Sequence, residues 1–162
     1  MDSGFGKVRL RLAKASESEA LTDLAMRAKA SWGYSQTFMD ACRAELTVTP
    51  KRIAAWMVWV AQAEQKIRGM IALSLRNGSD HAELEHFFVD PDWHARGIGT
   101  ALMTTLLESC RLRGVKVVGL DADPNAEQIY ARLGFATVGR SPSRSIPGRM
   151  LPRMELRFDR QP

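Results

Sequence analysis

Cysteine is scarce in this sequence, and long apolar runs are missing. Only Cys42 and Cys110 occur in 162 residues, each inside a helical pattern and without a Cys or His partner at ligand spacing. That excludes a disulfide framework and a zinc cluster, so buried free thiols and no resident metal are expected. No apolar run approaches the roughly 20 residues of a membrane-spanning helix, and Met1-Asp2-Ser3-Gly4 lacks the basic-then-apolar order of a secretory signal. A soluble, cytoplasmic protein with no membrane partner is the expectation. No glycine loop runs into Gly-Lys-Ser or Gly-Lys-Thr, so a Walker phosphate loop is excluded. Internal repeats are absent.

What is present fits one domain, residues 1–162, with one substantial core; the length is short for two ordinary domains. The net charge is +5, and Arg140, Arg144, Arg149, Arg153, Arg157 and Arg160 crowd the end of the chain. A nucleic-acid reader interleaves aromatics with its basic residues, whereas this tail holds only Phe158. The expectation is a solvated basic face that also suits an anionic ligand, without nucleic acid as a partner.

Phosphate chemistry is concentrated between Phe87 and Leu102. An apolar run ending in Phe87-Phe88-Val89 stops at Asp90-Pro91, crosses a polar turn and enters an amphipathic helix through Gly97 and Gly99. The first turn of a helix leaves backbone N–H groups without intrahelical partners and carries the positive end of the macrodipole. With no Cβ at 97 and 99, a pyrophosphate could approach the amides of Arg96 to Thr100, with the Arg96 charge beside them. Three readings compete: a tight turn that binds nothing, a Rossmann site with Asp121 as the ribose acid, and an acyl-CoA pyrophosphate site. The Rossmann reading is disfavoured because Leu102 takes the third glycine position and the strand ends several residues before the glycines.

The remaining patterns place a strand around Val8 to Leu12, a helix from a Ser16–Glu19 capping box to Lys29, and a second helix from Gln36 to Leu46 closed by Thr49-Pro50. Strands follow at Trp56–Ala63, Ile67–Leu75 and, after an Asn77-Gly78 turn, Ala82–Val89. Ala101, Leu102, Thr105, Leu106 and Ser109 give the next helix its packing stripe before Gly114. Val115–Leu120 is read as a strand parallel to Ala82–Val89. A short helix from Pro124 or Asn125 to Gly134, a strand from Phe135 to Gly139, a loop over 141–149 and a last strand Met154–Phe158 complete the chain.

The Val-Asp-Pro strand end, the Gly-x-Gly helix start, Asp123-Pro124-Asn125-Ala126 and then Tyr130-Ala131-Arg132-Leu133-Gly134-Phe135 together resemble the GCN5-related N-acetyltransferases. The resemblance is strongest from about Ala82 to Gly139. It implies an α/β (α+β) fold: a mixed, mostly antiparallel sheet of six to seven strands, about four flanking helices, and parallel strands around the CoA site. It implies acetyl-CoA as cosubstrate, contacted by Phe88, Val89, His94, Arg96, Gly97, Ile98, Gly99, Thr100, Asn125 and Tyr130. His94 stands where the family usually has Gln or Arg. The implied acceptor is a primary amine of a small molecule or a protein, walled in part by Trp32 and Tyr34, between the first two helices. A homodimer is among the states the sequence allows.

Acetyl transfer needs a base for the amine, stabilisation of oxygen charge and a proton for the departing thiolate. By period-two alternation Glu83, Glu85, Phe87 and Val89 share a face, so the carboxylates point to the thioester end of CoA or to the opposite face together; Glu85 is the first choice as base, through water, and Glu83 the second, against a solvated sheet edge. The resemblance puts Tyr130 where it can protonate the thiolate, against simple packing under the Leu133-Gly134-Phe135 turn. The Val89 amide could polarise a thioester carbonyl. By the same alternation His86 faces away from Glu85, and neither it nor His81 receives a catalytic role. Guanidiniums of Arg144, Arg149 and Arg153 closing over the acceptor would favour an anionic amine. The competing function is a CoA- or nucleotide-binding regulatory module without turnover, which has no need of Glu85 or Tyr130.

Overall fold

A computed structural model describes residues 7–75 and 80–158. The Asn77-Gly78 turn, Met1-Asp2-Ser3-Gly4 and Arg160 lie outside the described residues. Strand β1 (Arg9–Leu12) leads into helix α1 (Ser18–Ala30). The expected Ser16–Glu19 box does not form; Glu17 instead reaches back to accept the Lys14 N–H at 2.8 Å and pairs with Arg11 at 2.5 Å. Helices α2 (Gln36–Leu46) and α3 (Pro50–Ala55) start on hydroxyl caps, with Ser35 accepting from the Phe38 N–H and Thr49 from the Arg52 N–H, each at 3.1 Å. Thr49-Pro50 therefore opens a third helix where the sequence reading has it closing the second; proline's fixed φ suits a first helical turn.

Strands β2 (Met57–Ala63) and β3 (Lys66–Leu75) form a hairpin turned by the left-handed pair Glu64 and Gln65, and β4 (His81–Val89) continues the meander. Then come α4 (Ile98–Leu112), β5 (Val117–Asp121), α5 (Glu127–Arg132), β6 (Ala136–Pro142) and β7 (Met150–Arg157). Pairing of Ser141 with Leu151 and of Pro142 with Met150 extends β6 and β7 beyond their apolar segments, so the loop expected over 141–149 shrinks to 143–149. The seven strands form one sheet in the order β1-β2-β3-β4-β5-β7-β6, and only β4 and β5 run parallel.

Helix α4 buries Ile98, Leu102, Met103, Leu106 and Cys110 against Ile71, Leu73, Ala82 and Leu84 on one face of the sheet. Ala101, Thr105 and Ser109 only flank this stripe. Leu102 and Leu106 have no exposed surface. At about 1.5–3 kcal/mol for each fully buried leucine, they fix the helix whose first turn is the candidate anion site. On the other face α1 sets Leu21 and Leu24 against Val58, Val60, Met70 and Ala72. Both cysteines are buried free thiols, as expected.

Candidate active site

Two irregularities around β4 make the site. The first is a bulge: Ala72 pairs with His86 and Leu73 with Leu84, leaving Glu85 as an extra residue. A one-residue slip moves every later side chain to the opposite face. Ala82 and Leu84 therefore share the α4-side core with Phe87 and Val89. The expected common face of Glu83, Glu85, Phe87 and Val89 is corrected: the two glutamates lie on the side away from α4, where Ser74 donates to Glu85 at 2.7 Å.

The second irregularity is a parting of strands. β4 and β5 pair only over His81–Val117, Ala82–Val118 and Glu83–Gly119. Beyond that β4 stays with β3 as far as Gly69–Val89, while β5 stays with β7 as far as Asp121–Arg153. At the fork Arg153 spans from β7 to Glu83, bonding both carboxylate oxygens and reaching Asp121 at 3.3 Å. It lies over Gly119, where a Cβ would fall 2.3 Å from the guanidinium. Glu83 is thus the ionic partner of Arg153, not a free base, and it does not line the cavity. Asp121 is likewise committed to Arg153.

Where the strands part, a cavity of about 810 Å³ opens, lined by residues 84–89 of β4, Leu120 and Asp121 of β5, the start of α4, and α5. Of the residues named from sequence, Glu85, Tyr130, Phe88, Val89, His94, Gly97, Ile98, Gly99, Thr100 and Trp32 line it. The Asp90 N–H bonds the Arg68 carbonyl at 2.7 Å, toward β3. Amides alternate along a strand, so the Val89 N–H points to the opposite side, into the gap. His94 Nε2–H donates to the Val89 carbonyl at 3.2 Å, which draws its ring against the same gap.

The glycines divide their tasks differently from the sequence reading. Gly97 caps α4 with φ +80°, a left-handed conformation, and a Cβ there would meet nothing within 4 Å. Ala95 is left-handed as well, at φ 62°. Together they curl the chain so that the first amides of α4 open outward. A Cβ at Gly99 would instead come within 3.3 Å of the Phe87 ring and 3.6 Å of Val89, so this glycine serves helix-to-strand packing rather than room for a phosphate. Arg96 lies over the Trp93 ring at 4.3 Å and Arg68 at 4.5 Å, which stacks the Arg96 charge on the indole beside the turn.

Asn125 places its side chain elsewhere. Its amide donates to the Tyr34 hydroxyl at 2.9 Å, Arg149 donates to the same oxygen at 2.7 Å, and Tyr34 donates to Asp123. Asp123 also takes Lys29 at 3.2 Å. Burial opposes the Asp123 charge, but these donors outweigh it and hold the carboxyl below its ordinary value; burial and then Asp123 push the Tyr34 hydroxyl up. Tyr34, stacked on Phe38 at 4.0 Å, is therefore the hub of a polar latch and not an apolar wall. Arg149 belongs to that latch, Arg153 to β7, and Arg144 is exposed. Among the described residues no arginine cluster closes over the acceptor side.

Tyr130 packs edge-on to Phe135 and 6.0 Å from Phe87, and its hydroxyl has no hydrogen-bond partner among the described residues. Burial, and then the Asp123 charge, push that hydroxyl up, so it stays protonated at any ordinary pH. His86, set aside by the alternation argument, lines the cavity because the bulge turned it there. Glu45 and Lys29 line it too and were not singled out from sequence, since a charged residue at a helix end carries no signal of its own.

Similarity to known proteins agrees with this geometry. N-acetyltransferase 8 of Homo sapiens is 34% identical over 90 residues, covering 51% of this chain and 40% of that protein. An uncharacterised N-acetyltransferase of Methanocaldococcus jannaschii is 44% identical over 57 residues, covering 33% of this chain and 25% of that protein. The matches thus span a quarter to two-fifths of those relatives. The PaiA N-acetyltransferase of Thermoplasma acidophilum, solved in complex with coenzyme A, superposes with a TM-score of 0.78 over 94% of this chain and 99% of that one, at 17% identity, a likeness of fold. A model of the acetyltransferase (GNAT) domain matches residues 15–158, and the chain belongs to that family.

Proposed function

We propose that the protein is an acetyl-CoA-dependent N-acetyltransferase acting on a primary amine within a single domain. The observation that carries this reading is the forked β4–β5 cavity, with the Val89 N–H facing the gap and the Gly97 turn presenting the first amides of α4. The fit is chemical: helix-start amides and the Arg96 charge suit a pyrophosphate, and the parted strands offer unpaired backbone to a pantetheine-like arm. The named CoA complex of the Thermoplasma protein supports the same ligand. No helix among the described residues is long and apolar enough to cross a membrane.

Acetyl-CoA supplies the thioester. Gly97, Ile98, Gly99 and Thr100 hold its phosphates through backbone amides, and His94 steadies the Val89 carbonyl beside the entering chain. The Val89 N–H polarises the acyl carbonyl, an oxyanion-hole role worth about 3–4 kcal/mol when such a donor is removed. Glu85, oriented by Ser74, accepts the amine proton through water. Tyr130, kept protonated, hydrogen-bonds and protonates the sulfur that leaves. Calorimetry tests the binding half: acetyl-pantetheine, which lacks the pyrophosphate, should bind far more weakly than acetyl-CoA, and equal affinities would rule out a helix-start phosphate site.

A further inference from the structure

Resting on that reading, the acceptor side of the cavity has an electrostatic character of its own. Glu85 and Glu45 both line it. Glu85 receives a hydrogen bond from the Ser74 hydroxyl and Glu45 one from Ser145 in the β6–β7 loop. Neither forms an ion pair among the described residues. The neighbouring cations are engaged otherwise: Lys29 and Arg149 at Asp123, and Arg52 on the carbonyls of Ala44, Glu45 and Thr47 and over the Trp56 ring. Two carboxylates without an ion pair among the described residues, the exposed Glu45 and the half-buried Glu85, therefore line one cavity that Lys29 and Arg132 also line, each held by a neutral hydroxyl.

A buried imidazole packs beside them. His86 is 4% exposed, and its Nε2–H donates to the Leu46 carbonyl at 3.3 Å. Its Nδ1 is then a lone pair buried out of contact with solvent and without a hydrogen-bond partner among the described residues. Unpaired buried polar atoms are rare in proteins. The bond to Leu46 also places the C-terminal end of α2, the negative end of its dipole, at the same spot. The carboxylates and the helix end both favour an occupant of positive charge.

We propose that the acceptor is an amine carrying a second cationic group, amine or guanidine, which Glu45 binds while Glu85 attends the attacking nitrogen. An acceptor with an added carboxylate is disfavoured, which reverses the expectation built on Arg144, Arg149 and Arg153. The selection is local, since the chain as a whole carries +5.

The test uses three four-carbon probes, putrescine, butylamine and γ-aminobutyrate, titrated calorimetrically into the full protein saturated with CoA. Putrescine should bind about two- to fivefold more tightly than butylamine, the worth of one exposed charge pair, with γ-aminobutyrate weakest. Glu45→Gln, which keeps the Ser145 hydrogen bond, should erase most of that margin and leave CoA affinity unchanged. Butylamine or γ-aminobutyrate matching putrescine, or a margin that survives Glu45→Gln, overturns the proposal. A Glu45-dependent preference without any acetylation of putrescine would uphold this inference and count against the acetyltransferase reading instead.

Discussion

His86 gives the account a stability test that needs no substrate. Burial, partly offset by its bond to Leu46 and aided by the Arg52 charge, with Glu45 opposing, lowers its pKa from 6.5 to about 4. The folded protein thus resists a proton that the unfolded chain accepts. The sign follows: the contribution is complete above the unfolded value of 6.5 and is lost as pH falls toward 4. At about 1.4 kcal/mol per pH unit, going from pH 7 to pH 5 should cost about 2 kcal/mol. Asp90 and Asp123, whose carboxyls are lowered from 3.8, and Glu17, lowered from 4.5, lose their contributions only below those values, outside this window. In urea unfolding the midpoint should drop by about 1 M with an unchanged slope. His86→Phe should be less stable at pH 7, because the Leu46 carbonyl loses its donor, but its midpoint should be nearly flat between pH 7 and 5. A wild-type protein with no loss across that interval, or a variant with the same loss, refutes the buried neutral imidazole.

Other variants separate chemistry from architecture. Tyr130→Phe keeps the ring and removes the proton, so kcat should fall about a hundredfold or more with little change in the acetyl-CoA KM; unchanged turnover would return Tyr130 to packing. Gly97→Ala places a Cβ on a left-handed residue and should cost about 1–2 kcal/mol, whereas Gly99→Val drives methyls into Phe87 and Val89 and should cost about 1–3 kcal/mol by overpacking. A Gly99→Val protein of full thermal stability would contradict the contact distances. Glu83→Gln should lower stability by weakening the Arg153 bridge yet preserve kcat, while Glu85→Gln should do the reverse; equal kinetic losses in both would undo the division between them.

The elements that could be read from sequence were those whose periodicity runs long. α4 and the meander β2–β4 declared themselves through repeated apolar spacing, and the β4–α4–β5 order announced the one parallel pair. Helix α3, with six residues, was too short for a stripe, and its Thr49 cap read equally well as the end of α2. The bulge at Glu85 left no trace, because an extra residue in a strand changes the facing of side chains without changing composition. For that reason Glu83 and His86 were misplaced while Gly97 was not: a left-handed helix cap is a local requirement. Contacts such as Arg153 with Glu83, 70 residues apart, and Tyr34 with Asp123, 89 apart, depend on the folded sheet and no nearby pattern records them.

The central claim is that this forked cavity transfers an acetyl group and does more than hold CoA. The direct measurement incubates the protein with acetyl-CoA and each member of an amine panel, and follows free thiol and acetylated amine together. Amine-dependent thiol release is expected, one thiol for each acetylated amine, and it should collapse in Glu85→Gln and Tyr130→Phe while acetyl-CoA still binds. Firm acetyl-CoA binding with no amine-dependent release from any acceptor would contradict it and identify a CoA-binding module without turnover.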